Sequence, residues 1–246
     1  MPSAEKPKRI NVRRPDIMEQ VKAEVVTHYR SELVEHIRAN GSKFAYGNTG
    51  VRLAKEFGFC YGVERAIDLA YAARRHFPEE QPVYILGEII HNPHVNEQIR
   101  DMGVTFLTGS HKAADVTDLG EGDPVVIPAF GTEVNIRDQL TEKGCTIIDA
   151  TCGDVMSVWK RVRQNAREKV TSIIHGKAWH EETMATSSQA NRVRWPAVVA
   201  VAPRVFNTFF GEAGLAAVRR LGCGVVRRGH ARAAARARGL RVVAVA

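Results

Sequence analysis

From residue 51 onward, short apolar runs alternate with longer stretches whose apolar positions recur every three or four residues. The runs predict strands over 51–54, 83–86, 104–107, 125–130, 145–149 and 171–175. The longer stretches predict helices over 63–76, with Ile67, Ala70 and Tyr71 on one face, and over 93–102, 134–143 and 155–168. Gly103 and Gly144 stand where two of these helices should stop. Upstream, Ile17, Val21, Val25, Leu33, Val34 and Ile37 predict one amphipathic helix over 16–39, opened by Asp16 and followed by Gly41. Strands alternating with helices of ten or more residues imply right-handed crossovers and an α/β fold with parallel sheets.

In such sheets ligands collect beyond the carboxyl ends of the strands. Cys60, His91, Phe130, Cys152 and the segment 175–182 each follow a predicted strand and are expected along one sheet edge. The expected organisation is an N-terminal extension over 1–48, a first α/β unit over 49–152, the start of a second over 153–190, and a divergent tail over 191–246. Residues 1–15, polar, basic and proline-bearing, are expected to be disordered.

Charge changes this picture in one place. The chain has a formal net charge of +8, yet the tail holds 11 arginines, no lysine and one acidic residue, Glu212. The rest holds 24 basic and 26 acidic side chains, so the basicity belongs to the tail and a nucleic-acid partner is not implied for the body. Arg, Ala, Val and Gly share GC-rich codons, and a disrupted reading frame after Ala190 is one reading of the tail. A natural arginine-rich segment that contacts nucleic acid in a non-catalytic binding protein is its rival. No apolar run nears the roughly 20 residues that cross a bilayer. With no signal-peptide pattern, a cytoplasmic protein without a membrane partner is expected.

The four cysteines form no CxxC pair. Cys60, between glycines in Phe57–Gly58–Phe59–Cys60–Tyr61–Gly62, and Cys152, in Asp149–Ala150–Thr151–Cys152, each precede a predicted helix. A helix N-terminus stabilises a thiolate. Zinc usually draws on short local spacings, whereas an iron–sulfur cluster accepts cysteines from distant loops. Two unrelated buried cysteines, or a metal scaffold without turnover, remain alternatives. His91 lies where a strand meets a helix, a place suited to an anion or to a simple cap. His175, Lys177, His180, Glu181 and Glu182 crowd one loop, which could hold an anion and supply a proton or be merely a solvated turn. In an extended loop His180 and Glu182 would face the same side.

Taken in order, FGFCYGVERA, EIIHNPHV, PAFG, DATC and IIHGKAWHEETMAT resemble the hydroxymethylbutenyl diphosphate reductases, over residues 20–190. Phe130 in PAFG, the YGN segment at Tyr46–Asn48 and the helical extension resemble the plant and cyanobacterial form. The resemblance implies α/β units around a central 4Fe–4S cluster, with Cys60 and Cys152 as two of its three cysteine ligands. It implies that His91 and His180 bind the substrate diphosphate and that Glu182 belongs to the proton-delivery network. It further implies a small-molecule diphosphate substrate, an electron donor such as ferredoxin or flavodoxin, and isopentenyl and dimethylallyl diphosphate as products.

Two departures qualify it. Gly153–Asp154 replaces the Pro-containing pair after the second cysteine, and Asp154 sets a negative charge beside an anionic cluster. The third unit's cysteine, threonine and Ser/Asn motifs do not follow residue 190, and Cys223 has the wrong surroundings to stand in. The expectation is a reductase by family whose own turnover is impaired.

Overall fold

The computed structural model describes residues 10–177, 179–191, 197–201 and 240–244; Cys223 and most of the tail lie outside them. The stretch read as one N-terminal helix is two, α1 (Pro15–Tyr29) and α2 (Glu32–Ala39). Arg30 is extended (φ −80°, ψ 131°), and the Ser31 hydroxyl accepts the Val34 N–H at 3.3 Å. A serine able to cap favours a fresh start over continuation. Ile17 and Val21 of α1 are buried against α3 (Tyr61–His76), and the Tyr71 hydroxyl of α3 meets His28 Nδ1 at 2.7 Å and the Tyr29 hydroxyl at 3.0 Å.

The strand expected to lead into Cys60 does not join a parallel sheet. β1 (Lys43–Tyr46) and β2 (Thr49–Arg52) form an antiparallel hairpin with every residue exposed. The two-residue turn Gly47–Asn48, with Gly47 at φ 57°, closes it locally. With Gly50 and Arg52 in it, β2 lacks the continuous apolar run that a strand covered on both faces requires.

The first parallel sheet comprises β3 (Val83–Ile85), β4 (Val104–Phe106), β5 (Pro124–Ile127) and β6 (Thr146–Asp149), in the order β4-β3-β5-β6. Val83 pairs with Val104, Tyr84 with Val125 and Pro124 with Thr146. α4 (Pro93–Asp101) joins β3 to β4, and α5 (Val134–Glu142) joins β5 to β6. Val125, Val126 and Ile127 are wholly buried, as a strand with both faces covered must be. The strand read over 125–130 ends at Ile127, and Pro128 to Gly131 form a turn with the Gly131 N–H on the Pro128 carbonyl at 2.9 Å.

α6 (Gly153–Arg167) leads into β7 (Thr171–Gly176), followed by α7 (Glu181–Asn191). β7 is the centre of a second parallel sheet, flanked by β8 (Ala197–Val201) and β9 (Leu240–Ala244). Both flanking strands belong to the region whose composition diverges. The architecture is α/β with parallel sheets, as the alternating pattern implied, in small units of the kind the resemblance implied.

Candidate active site

Cys60 and Cys152 are the N-cap residues of α3 and α6, and neither side chain makes a capping hydrogen bond. Cys60 is exposed and Cys152 half-buried. Their loops meet through Gly62: a Cβ on that residue would overlap Cys152 Sγ. The Cys152 sulfur therefore lies against the first turn of the helix that Cys60 caps. Cys60 reaches this place through α3 and not, as the alternating pattern suggested, from the end of a sheet strand.

The approach to Cys152 is fixed from both sides. Its N–H donates to the Ala129 carbonyl at 2.9 Å. Arg65 of α3 donates to the Thr151 carbonyl at 3.1 Å and the Asp149 carbonyl at 3.3 Å. The Asp149 carboxylate accepts the Thr151 N–H at 3.1 Å, the Thr151 hydroxyl at 2.5 Å and Arg137 Nη1 at 2.6 Å. Burial would raise the Asp149 carboxyl, but the hydrogen bonds from Thr151 and Arg137 prevail and hold it below the usual range. Asp154, with burial and Cys152 as lesser causes, pushes the Tyr61 phenol up.

The histidines also meet. Asn96, wholly buried, accepts the Ile89 N–H at 3.1 Å and donates to the Ile90 carbonyl at 2.9 Å, which sets the loop that presents His91. The His91 ring stacks on Phe130 with centroids 4.3 Å apart and 21° between planes. His180 meets the same ring edge-on at 5.5 Å. His91 Nε2 and His180 Nε2 are 3.0 Å apart, and His91 Nδ1 is 3.1 Å from Glu88 Oε2. The segment 180–182 is not an extended loop. α7 begins at Glu181, and the Glu182 N–H turns back onto His180 Nδ1 at 3.3 Å. Burial, with the neighbouring His91 second, lowers the pKa of His180.

Burial raises the Glu182 carboxyl above its ordinary value of 4.5. Between that value and the raised one, the native chain keeps a proton that the unfolded chain has lost. Stability therefore falls as pH rises through this interval. His180, with a lowered pKa, acts on the other side, its contribution being lost as pH falls through 6.5. The difference between Glu182→Gln and the parent isolates the carboxyl. Urea unfolding between about pH 4 and 8 is expected to show the parent losing stability relative to the variant as pH rises above 4.5, and parallel profiles would show that Glu182 titrates as an ordinary carboxyl.

Cys60, Cys152, His91, His180 and Glu182 are thus linked through the Ala129–Phe130 turn and α7. Trp159 of α6 packs with Cys152 and Ala185, and its Nε1 donates to the Thr186 hydroxyl at 3.0 Å. Sequence reasoning passed over Glu88 and Asp149 as functional positions, although both lie inside the quoted motifs.

An α/β protein with two cysteine-capped helices and a histidine pair around one turn is the class that fold and site define. The chain belongs to the LytB protein family, whose model matches residues 51–217 and so runs past Ala190, where the resemblance was expected to stop. It is similar to the 4-hydroxy-3-methylbut-2-enyl diphosphate reductase of Thermosynechococcus vestitus, 48% identical over 172 residues, covering 70% of this chain and 42% of that protein. The reductase of Prochlorococcus marinus (strain MIT 9313) is 49% identical over 162 residues, covering 66% of this chain and 40% of that protein. The chain thus spans less than half the length of these relatives.

Among solved structures, an (E)-4-hydroxy-3-methyl-but-2-enyl diphosphate reductase shares the fold with a TM-score of 0.54 at 24% identity, covering 78% of this chain and 66% of that one. The Plasmodium falciparum E-1-hydroxy-2-methyl-but-2-enyl-4-diphosphate reductase aligns with a TM-score of 0.52 at 28% identity, covering 61% of this chain and 43% of that one.

Proposed function

We propose that this chain is a 4-hydroxy-3-methylbut-2-enyl diphosphate reductase of impaired turnover, with Cys60 and Cys152 supplying two thiolates to a 4Fe–4S cluster. The observation that carries the reading is the seat of Cys152 Sγ against Gly62, inside the first turn of the Cys60-capped helix. The Cys152 sulfur thus lies against a residue two along the chain from Cys60, and each cysteine is the N-cap of its helix. Among the described residues the remaining cysteine, Cys145, is buried with its thiol on the Gly120 carbonyl at 3.6 Å. It sits in a different apolar cluster from Cys152.

When bound, the cluster supplies electrons and Lewis acidity for cleavage of the substrate's carbon–oxygen bond. The chain's own residues do the rest. His180, held neutral, takes the Glu182 N–H on Nδ1, so its proton lies on Nε2 and can be donated to a diphosphate oxygen. His91, gripped between the Phe130 ring and Glu88, holds its Nε2 beside that donor. Glu182, whose burial raises its pKa, holds a proton to higher pH than an ordinary carboxyl does and is the proposed proton source for the departing hydroxyl. Two electrons and two protons remove that hydroxyl as water and leave isopentenyl or dimethylallyl diphosphate. A one-electron carrier such as ferredoxin or flavodoxin is the proposed donor, and the cytoplasm the proposed setting. No helix among the described residues is long and apolar enough to cross a membrane.

The test is anaerobic reconstitution with iron and sulfide, followed by the reduction assay with the diphosphate substrate. Cluster-dependent turnover should vanish in Cys60→Ser and in Cys152→Ser. Parental iron content and turnover in either variant would remove the basis of the assignment.

A further inference from the structure

The histidine pair has a feature that anion binding does not require. His91 Nε2 and His180 Nε2 face each other at 3.0 Å, and Glu181 Oε2 lies 3.5 Å from His91 Nε2. The three ligand atoms lie within 4.8 Å of one another. A tetrahedral zinc with Zn–N arms of about 2.0–2.1 Å separates neighbouring ligand atoms by roughly 3.3 Å. The two measured separations bracket that edge. Two histidines and one glutamate are also a ligand set that leaves a fourth position open.

The surroundings favour a cation as well. Glu88, Glu133 and Glu181 line a cavity of about 190 Å³ that shares the Phe130 wall with the histidines. Lys177 also acts on His180, one positive charge against the carboxylates of Glu88 and Glu181. Behind the ring, His91 Nδ1 faces Glu88 Oε2 at 3.1 Å, and Glu88 Oε1 accepts the Ser110 hydroxyl at 3.2 Å. A carboxylate behind a histidine in this way fixes the tautomer that offers Nε2 to a metal.

We propose that His91, His180 and Glu181 form a binding site for a divalent transition ion of borderline softness, such as zinc or cobalt, separate from the thiolate site. In the metal-free chain the Glu182 N–H holds the His180 proton on Nε2, and His91 Nε2 accepts it. The ion takes that proton's place. His180 then carries its proton on Nδ1 and gives up the 3.3 Å contact from the Glu182 N–H, one hydrogen bond exchanged for nitrogen–metal bonds. His91 and Glu181 side chains are 43% and 55% exposed, so the ion enters from solvent without opening the fold.

The probe is cobalt(II), titrated into the full chain bearing Cys60→Ser and Cys152→Ser so that the thiolates do not compete. One equivalent is expected, with visible bands of a tetrahedral nitrogen–oxygen site and no sulfur charge-transfer band. His91→Ala or His180→Ala should abolish uptake, and Glu88→Gln should weaken it by roughly tenfold or more, with circular dichroism unchanged. No uptake, or uptake indifferent to both histidines, would overturn the proposal. If the double-serine chain does not fold, X-ray absorption of the zinc-loaded parent reads the same point. A nitrogen–oxygen shell near 2.0 Å that His91→Ala removes supports the site, and a sulfur shell near 2.3 Å alone refutes it. Inorganic diphosphate binding to the metal-free chain is measured in parallel. Cobalt without diphosphate binding upholds this site and counts against the reductase reading, and the reverse result does the opposite.

Discussion

A Gly62→Ala chain is expected to fold as the parent does and to lose its iron. The added Cβ would occupy the place of Cys152 Sγ, and Gly62 lies in a helical turn whose backbone any L residue can adopt. The cheapest relief is rotation of the cysteine side chain away from α3, since a sulfur on a single χ1 bond moves more easily than a helix. Rotation carries the Cys152 sulfur away from the helix that Cys60 caps while leaving the main apolar core untouched. Thermal stability should stay within about 1 kcal/mol of the parent, because alanine's better helix propensity offsets part of the crowding. Iron and sulfide retained after anaerobic reconstitution and desalting should fall roughly tenfold, as expected when a ligand is lost from a site where binding is shared. The displaced Cys152 thiol should also react faster with a thiol reagent in the cluster-free protein, a readout independent of metal. If Gly62→Ala keeps the parent's iron and its thiol reactivity, the sulfur has another seat and the two cysteines do not act together.

The glycines beside Cys60 suggest close approach of something bulky, but only the fold shows that at Gly62 it is the Cys152 sulfur. The alternation of short apolar runs with helical spacing did identify the parallel units, since strands such as Val125 to Ile127 are buried on both faces and must be continuously apolar. It failed at β2, where the run over 51–54 looked like a sheet strand. What decides there is pairing: a two-residue turn lets β1 and β2 close locally, and the resulting hairpin stays exposed. Helix continuity failed at Arg30 for a similar reason, because spacing alone does not show that Ser31 will cap.

Around the site, residue type conveyed the candidates but not their partners. Cys60, Cys152, His91, His180 and Glu182 were singled out for chemistry that cysteine, histidine and glutamate carry anywhere. Glu88 lies three positions before His91 on a loop with no regular period, so only the fold shows its carboxylate behind the ring. Asp149 ends a strand and would pass for a turn residue, yet it fixes Thr151 and Arg137 one step before Cys152. Supporting contacts of this kind join residues far apart in sequence, and no pattern along one strand or helix encodes them.

Gly131→Ala is expected to have the largest effect on stability of any single methyl group added near the site. Gly131 sits at φ 79°, where a side chain costs about 1–2 kcal/mol, and its Cβ would overlap the six-membered ring of Trp159 and press on Thr151. Trp159 is only 7% exposed and cannot swing into solvent without breaking its 3.0 Å bond to Thr186. Overpacking a buried ring adds about 1–3 kcal/mol, so a total near 3 kcal/mol is expected. For a chain of this size that lowers Tm by roughly 6–12 °C. The damage should reach the site, because Trp159 joins α6, which Cys152 caps, to α7, which carries Glu182. Trp159→Leu makes room for the methyl group, so Gly131→Ala should cost less in that background than in the parent, a coupling of about 1 kcal/mol or more in a double-mutant cycle. Additive costs would place the penalty in the backbone of the turn alone. They would then leave the Phe130 ring, and the two histidines against it, positioned independently of the helix that Cys152 begins.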